Sequence, residues 1–355
     1  MAAYTTIDDP EAYFQTVLYT GNATDDRNIT LPGTTDMQPD LVWIKERSST
    51  SNHQLTDAVR GVGKHLNSDD AAAEGTNADR VQAFNSDGFQ IGTDSSVNQN
   101  TITHVAWCWK AGTTSGITTD GNTTITPSGY SFNQTAGFSI LKYTGNATSG
   151  AKLAHGLGAT PEMVICKNLD SGNSWVVGHQ GADTTAPWDY GMNLDSAAAR
   201  SNTALFWNDT APDNVNITLG SSDDNNEAAA HIAYCFAGKQ GYSKFGGYGP
   251  GNANADGPFI YTGFKPAYLL IKITDAASIW VIQDNKRPGY NLTNIYSAAN
   301  TTTAEPTNLG VDMLANGFKI RDADTEVNGS GKNYIYAAFA EAPFVNSNGV
   351  PCTAK

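Results

Sequence analysis

The chain has 355 residues, 39 % of them hydrophobic and 10 % aromatic, and a formal net charge of -14. Such an acidic surface repels phosphate backbones and anionic bilayers, which sets nucleic-acid binding and membrane insertion aside. No run approaches the ~20 apolar residues of a spanning helix, and the N-terminus lacks the basic start and apolar core of a signal peptide.

The N-terminal stretch 1–18 precedes the first recurring motif, and it is expected to be a docking segment. From Tyr19 onward four landmarks recur in one order. The first is Tyr-Thr-Gly, at 19–21, 143–145 and 261–263. The second is a Pro followed by an apolar run ending in Lys: PDLVWIK (39–45), PEMVICK (161–167) and PAYLLIK (266–272). The third is an aromatic or Met, a turn and a short strand, starting at Phe84, Trp207 and Met313. The fourth is a strand: HVAWCWKAG (104–112), HIAYCFAGK (231–239) and YIYAAFAE (334–341). From the landmark Pro to the third landmark is 45 residues (39 to 84), then 46 (161 to 207), then 47 (266 to 313). This register predicts three related units at 19–112, 130–247 and 259–355, the last with a C-terminal tail. The polar tracts 113–129 and 248–258 read as linkers.

Short β-branched runs bounded by Pro and Lys predict strands buried on both faces. The fourth landmark alternates. Val105, Trp107 and Trp109 share one face, while Ala106, Cys108 and Lys110 share the other. Small residues on one face let a second sheet approach to about 10 Å. In the third copy Ala337 and Ala338 are expected to hold those small positions. The fold class is therefore all-β, as three β-sandwich units of jelly-roll or lectin-like type. Only 71–81 and 195–201 offer one or two helical turns, and no heptads mark a coiled-coil shaft.

Four cysteines, Cys108, Cys166, Cys235 and Cys352, form no CxxC pair. Cys108 and Cys235 share one position that is Ala338 in the third copy, so they read as small buried residues in a reducing compartment. His155, in HGLG, reads as part of a Gly-rich turn rather than an oxyanion loop. His104 and His231 recur, but Tyr334 replaces them in the third copy, which suits packing better than catalysis. Acids cluster before the fourth strand. Asp94, Asp223, Asp224, Asp322 and Asp324 offer hard oxygens for Ca²⁺ but match no EF-hand pattern, and solvated turns explain them better. No other cofactor is indicated, and no catalytic constellation stands out. Trp175 and Trp280 fall at matching places and read as core. Trp188, Tyr190, Tyr290 and Tyr296 are the candidate surface aromatics for receptor or glycan binding. The run KQGYSKFGGYG (239–249) interleaves Lys with aromatics and reads as an interdomain contact.

The segments YTTIDDPEAYFQTVLYTGN, DGFQIG, VAWCWKAG, AYCFAGKQGYSKFGGY, FKPAYLLIK, DNKR and YAAFAEAPFVNSNGVPCTAK resemble those of virion structural proteins of tailed, often marine, bacteriophages. The resemblance runs in order over nearly the whole chain. It implies a non-enzymatic protein made in the host cytoplasm and displayed on the particle exterior. The implied role is a tail-fibre, knob or head-fibre adhesin. A capsid decoration protein and a glycan-degrading tailspike are the alternatives. Implied partners are tail or capsid proteins, a host glycan or outer-membrane protein, and further copies of the chain as a homotrimer.

Overall fold

The computed structural model describes residues 4–353. It is all-β, with 39 % strand and 6 % helix. Three large antiparallel sheets share one core order. In the first, Phe14–Thr20, Thr103–Trp109, Leu41–Glu46 and Gln54–Asp57 lie side by side. In the second the matching strands are Phe138–Thr144, Ala230–Phe236, Met163–Asn168 and Val176–His179. In the third they are Ser243–Tyr248, Tyr334–Pro343, Phe264–Ile273 and Trp280–Asp284. The Pro-led runs form the third strand of each sheet and are buried on both faces, as their apolar patterning predicts.

Alternation on the fourth-landmark strand separates two kinds of core. Val105, Trp107 and Trp109 point into one central cluster, together with Ile232, Tyr234 and Phe236 and with Ile335, Ala337 and Phe339. The opposite faces enter three separate clusters. Each of these is closed by a small sheet: Arg27–Thr30 with Gly88–Ile91 and Val81–Asn85, Ala151–Ala154 with Asn216–Leu219, and Phe259–Tyr261 with Gly317–Ile320 and Val311–Leu314. Cys108, Cys235 and Ala338 occupy one fully buried position there, and all four cysteines are free. In the third copy Ala338 holds one of the small positions and Ala337 does not. Tyr336 takes the position of Ala106 and Ala233, packed edge-on against Phe318, while Ala337 faces the central core.

Contacts between the sheets close into a ring. The Lys that ends each apolar run is fully buried and donates to backbone carbonyls of a neighbouring unit. Lys45 Nζ reaches Thr302 O at 3.2 Å, Lys167 Nζ reaches Ala71 O at 3.0 Å, and Lys272 Nζ reaches Ala197 O at 3.0 Å. A second set follows the same direction. His53 Nε2 lies 3.0 Å from Ala298 O, Trp175 Nε1 donates to Asn67 O at 2.7 Å, and Trp280 Nε1 donates to Asn193 O at 2.9 Å. The first unit thus grips the third, the second grips the first, and the third grips the second. Heterologous contacts that return to their start after three steps make a closed, quasi-threefold ring. A small, wholly apolar void of about 30 Å³ lies in the central cluster, lined from all three sheets.

Pairing moves one boundary. Tyr19, Tyr143 and Tyr248 stack on His104, His231 and Tyr334 at 4.9, 5.2 and 4.9 Å. Their hydroxyls donate to Val97 O, Asn225 O and Val327 O. Tyr248, not Tyr261, is therefore the counterpart of the first landmark, and 248–258 is a loop within the third unit rather than a linker. Equally, Phe14–Thr20 is a paired strand with counterparts in both other sheets, so 14–18 is no free docking segment. Met1, Ala2 and Ala3 lie outside the described residues.

The acidic tracts form single helical turns: Ser95–Asn98, Asp223–Asn226 and Thr325–Asn328. The stretches 71–81 and 195–201, expected to be helical, are not. Each turn ends in a buried Asn that clamps a distant loop. Asn226 Nδ2 donates to Thr148 O and Gly220 O, and its Oδ1 accepts from Asn146 N at 3.0 Å. Asn98 and Asn328 repeat this on Asn22–Thr24 and Asn252–Asn254. Each clamped loop carries an alanine in the left-handed region, Ala23, Ala147 or Ala253, at φ 53°, 54° and 50°. Asn226→Ala removes three hydrogen bonds, of which only the one to Gly220 O is fully buried, and is expected to cost about 1–3 kcal/mol in urea unfolding. A loss below about 1 kcal/mol would show that the loop holds itself.

Candidate functional site

The surface aromatics proposed from sequence scatter, and two of them are core. Trp188 is buried and meets Trp207 edge-on at 5.6 Å. Tyr296 is buried in the third unit's core. Trp188 packs against the helical turn Ala204–Trp207, and Tyr296 joins the apolar cluster under the third sheet. Tyr190 is half-buried, with the Arg200 guanidinium 4.3 Å over its ring. Tyr290 alone is open to solvent, at 80 % exposure, on the loop after Arg287.

The proposed calcium ligands are engaged in turn and cap bonds. Asp94 and Asp324 cap their helical turns through Ser96 N at 2.9 Å and Glu326 N at 3.0 Å. Asp224 accepts from Ser174 N, and Asp322 accepts from Gly310 N and Asp324 N. Asp223 opens the helical turn that Ser222 caps. Among the described residues no group of three or more His, Cys, Asp or Glu side chains converges as a metal site would. His155 is buried in its Gly-rich turn, beside Asp213 O and Leu157 N.

One seam of the ring differs from the other two. Register places Asp57, His179 and Asp284 at one position, opposite Leu41, Met163 and Tyr268. Asp57 pairs with Arg60 and accepts from Tyr234 OH at 2.8 Å. Asp284 pairs with Arg287 and accepts from Trp107 Nε1 at 3.0 Å. Both ion pairs are fully buried. Between the second and third units the aromatic is Ala337, which has nothing to donate. There the acid is His179, whose Nε2 lies 3.1 Å from Tyr336 O, and the arginine position is Ala182. A histidine can donate to a backbone carbonyl where a carboxylate could only repel it. Burial holds His179 down at about 4, so it is neutral.

This thinner seam carries two surface clefts. One, about 470 Å³, runs from Gln180–Thr184 past Arg200 to Gly247–Gly249, Thr274 and Asn333. The Asp183–Arg200 pair, at 3.2 Å, closes one side. The other, about 340 Å³, lies where the chain crosses from the second unit to the third. It combines Tyr4, Tyr261, Lys239, Lys244, Glu162 and Gln240. Lys244 Nζ donates to Tyr261 O at 2.7 Å and sits 5.4 Å from the centre of its ring. The Tyr4 hydroxyl donates to Gly263 O at 2.8 Å and touches the Tyr261 hydroxyl at 3.1 Å. Burial raises Glu162, against backbone contacts from Gly238 and Phe245. Burial lowers both Lys239 and Lys244, the latter opposed by Glu162.

The run 239–249 had shown its lysines and aromatics in sequence; Ser243–Tyr248 within it is a strand of the third sheet, and Gln180 Nε2 of the second unit donates to its Phe245 O. Its open side was not legible. Tyr261 was read as a landmark, so its place in this groove was missed. The signal was there, in that a Tyr-Thr-Gly followed directly by the Pro-led strand has no room for the loop that follows the other two.

Fold and site define a class: a closed three-unit β-protein with an aromatic, charged groove at one seam. A family model described as a domain of unknown function (DUF7483) matches residues 9–343, and the chain belongs to that family. No curated protein matches the chain, and no solved structure does.

Proposed function

We propose that the protein is a non-catalytic component of the exterior of a tailed-phage particle, where it attaches the particle to the host surface. The observation that carries this reading is the groove at the crossover of the second and third units. It offers aromatic rings, ammonium donors and a carboxylate, the chemistry that holds sugars. Elsewhere the buried charged groups are tied into the fold. The family resemblance supplies the phage setting. A homotrimer is implied by that resemblance, and a ring closed within one chain offers the alternative of a body that is complete by itself. Light scattering decides between them: three times the chain mass of 37.6 kDa is expected for the homotrimer, and the single-chain mass would remove it.

Gold-labelled antibodies on intact particles test the assignment. Label at the tail tip or on head fibres is expected, and label spread over the icosahedral faces would replace an adhesin with a decoration protein. That second reading is favoured by one feature: among the described residues no helix exceeds four residues, so no shaft carries the body. Shortened products after incubation with host capsule or lipopolysaccharide would overturn the non-catalytic reading.

A further inference from the structure

We infer that the groove between Tyr261, Lys239 and Lys244 binds a carboxylate-bearing sugar of an acidic polysaccharide. The inference rests on the adhesin reading and adds the ligand class.

Net charge inside the groove argues first. The chain carries 35 acidic and 21 basic residues, so a cluster with more cations than anions goes against its average. Two ammoniums and one carboxylate line this groove. Lys244 is engaged with the Tyr261 carbonyl and ring. Lys239 forms no ion pair among the described residues, though it is partly withdrawn from water. One surplus positive charge matches a single carboxylate better than a phosphate dianion. A half-buried ammonium also gains more from an anion than a fully solvated one does.

Shape argues second. Tyr261 and Phe259 point outward from the same face of an edge strand and are 47 % and 46 % exposed. Two residues apart on a strand places their rings roughly 7 Å from each other, which suits successive sugar rings of one chain. Tyr4 braces Tyr261 through the hydroxyl contact, so the ring is held before a ligand arrives. The exposed Gln240 amide adds a donor and an acceptor for sugar hydroxyls, and Glu162 can accept from one. The volume of about 340 Å³ falls within the range of small-molecule sites.

The test is affinity electrophoresis of the full chain through gels holding polygalacturonate, alginate or hyaluronate, with neutral dextran as control. Retardation by at least one polyuronate, weakened by salt, and none by dextran is expected. Lys239→Gln and Lys244→Gln should each weaken binding about tenfold, as loss of a charge-assisted hydrogen bond does. Tyr261→Ala should weaken it at least as much, and Tyr261→Phe, which keeps the ring but loses the Tyr4 contact, should fall between the parent and Tyr261→Ala. These side chains are partly exposed, so the unfolding midpoint of each variant should stay near that of the parent.

No retardation by any of the three polyuronates, or affinities unchanged in all variants, would overturn the assignment. Labelled protein applied to host cells separates the two readings. Cells coated equally by the parent and by Tyr261→Ala would leave the adhesin and remove the groove. Polyuronate binding by a protein that coats no cell would do the reverse.

Discussion

Replacing Lys167 with methionine is expected to lower the unfolding free energy by about 3–5 kcal/mol, the range for removing one partner of a buried charged contact. Lys167 Nζ shares its three N–H donors among four carbonyls within reach: Asn168 O at 2.9 Å, Ala71 O at 3.0 Å, Ser171 O at 3.3 Å and Asn173 O at 2.8 Å. Methionine fills similar space but donates nothing, so those carbonyls lose their bonds inside the protein. Burial pulls the ammonium down to about 8, so it remains largely charged at neutral pH. Lys45 and Lys272 each hold two carbonyls, so their methionine variants should lose less. Urea unfolding at pH 7 checks both size and order. Three equal losses, or a Lys167→Met loss under about 1 kcal/mol, would mean that water replaces the ammonium.

Acid is expected to destabilise the fold between pH 6.5 and about 4.5, by proton uptake on unfolding. All six histidines have their folded pKa pushed down, first by burial. For His65, His104, His155 and His179 it falls to about 4. The unfolded chain then binds more protons than the native one over this window, so stability falls as pH falls, by up to about 1.4 kcal/mol per pH unit for each histidine. Several carboxylates work the other way. Burial raises Asp69 to about 6 and lifts Asp40, Glu46, Glu162, Asp195 and Glu326, so protonation favours the folded form at these sites. They offset part of the histidine effect. Urea midpoints at pH 7, 6 and 5 should fall in that order. His179→Gln should remove one proton from the slope, about 1.4 kcal/mol per pH unit. A flat profile would refute the neutral, buried state of these rings.

Much of the fold was legible because strands leave periodic marks. The alternation in HVAWCWK assigned both faces correctly, since burial on two sides forces two different residue sets. The position shared by Cys108, Cys235 and Ala338 gave the close approach of the small sheets. The glycines of two hairpins are required by close approach of a neighbouring strand. A Cβ at Gly88 or Gly317 would stand 2.1 Å from Ile29 O or Ile260 O on the neighbouring strand. The ring was not legible. Its contacts are ammonium and indole donors meeting backbone carbonyls, and a carbonyl has no residue type to read. The terminal Lys of each run looked like a strand boundary for the same reason. Trp188 and Tyr296 failed as surface candidates because exposure depends on which element packs opposite. The groove stayed hidden because it needs Tyr4 and Tyr261, 257 positions apart, to meet.

The paired exchange at one seam, His179 for the acid and Ala337 for the aromatic, shows what covalent linkage permits. In an assembly of identical subunits every substitution is copied three times, and a groove opened in one junction opens in all. Encoding the ring in a single polypeptide frees each junction to drift on its own. Two can remain as fasteners while the third gives up cohesion for a ligand, so each molecule would offer one asymmetric grip on a polymer instead of three equivalent ones.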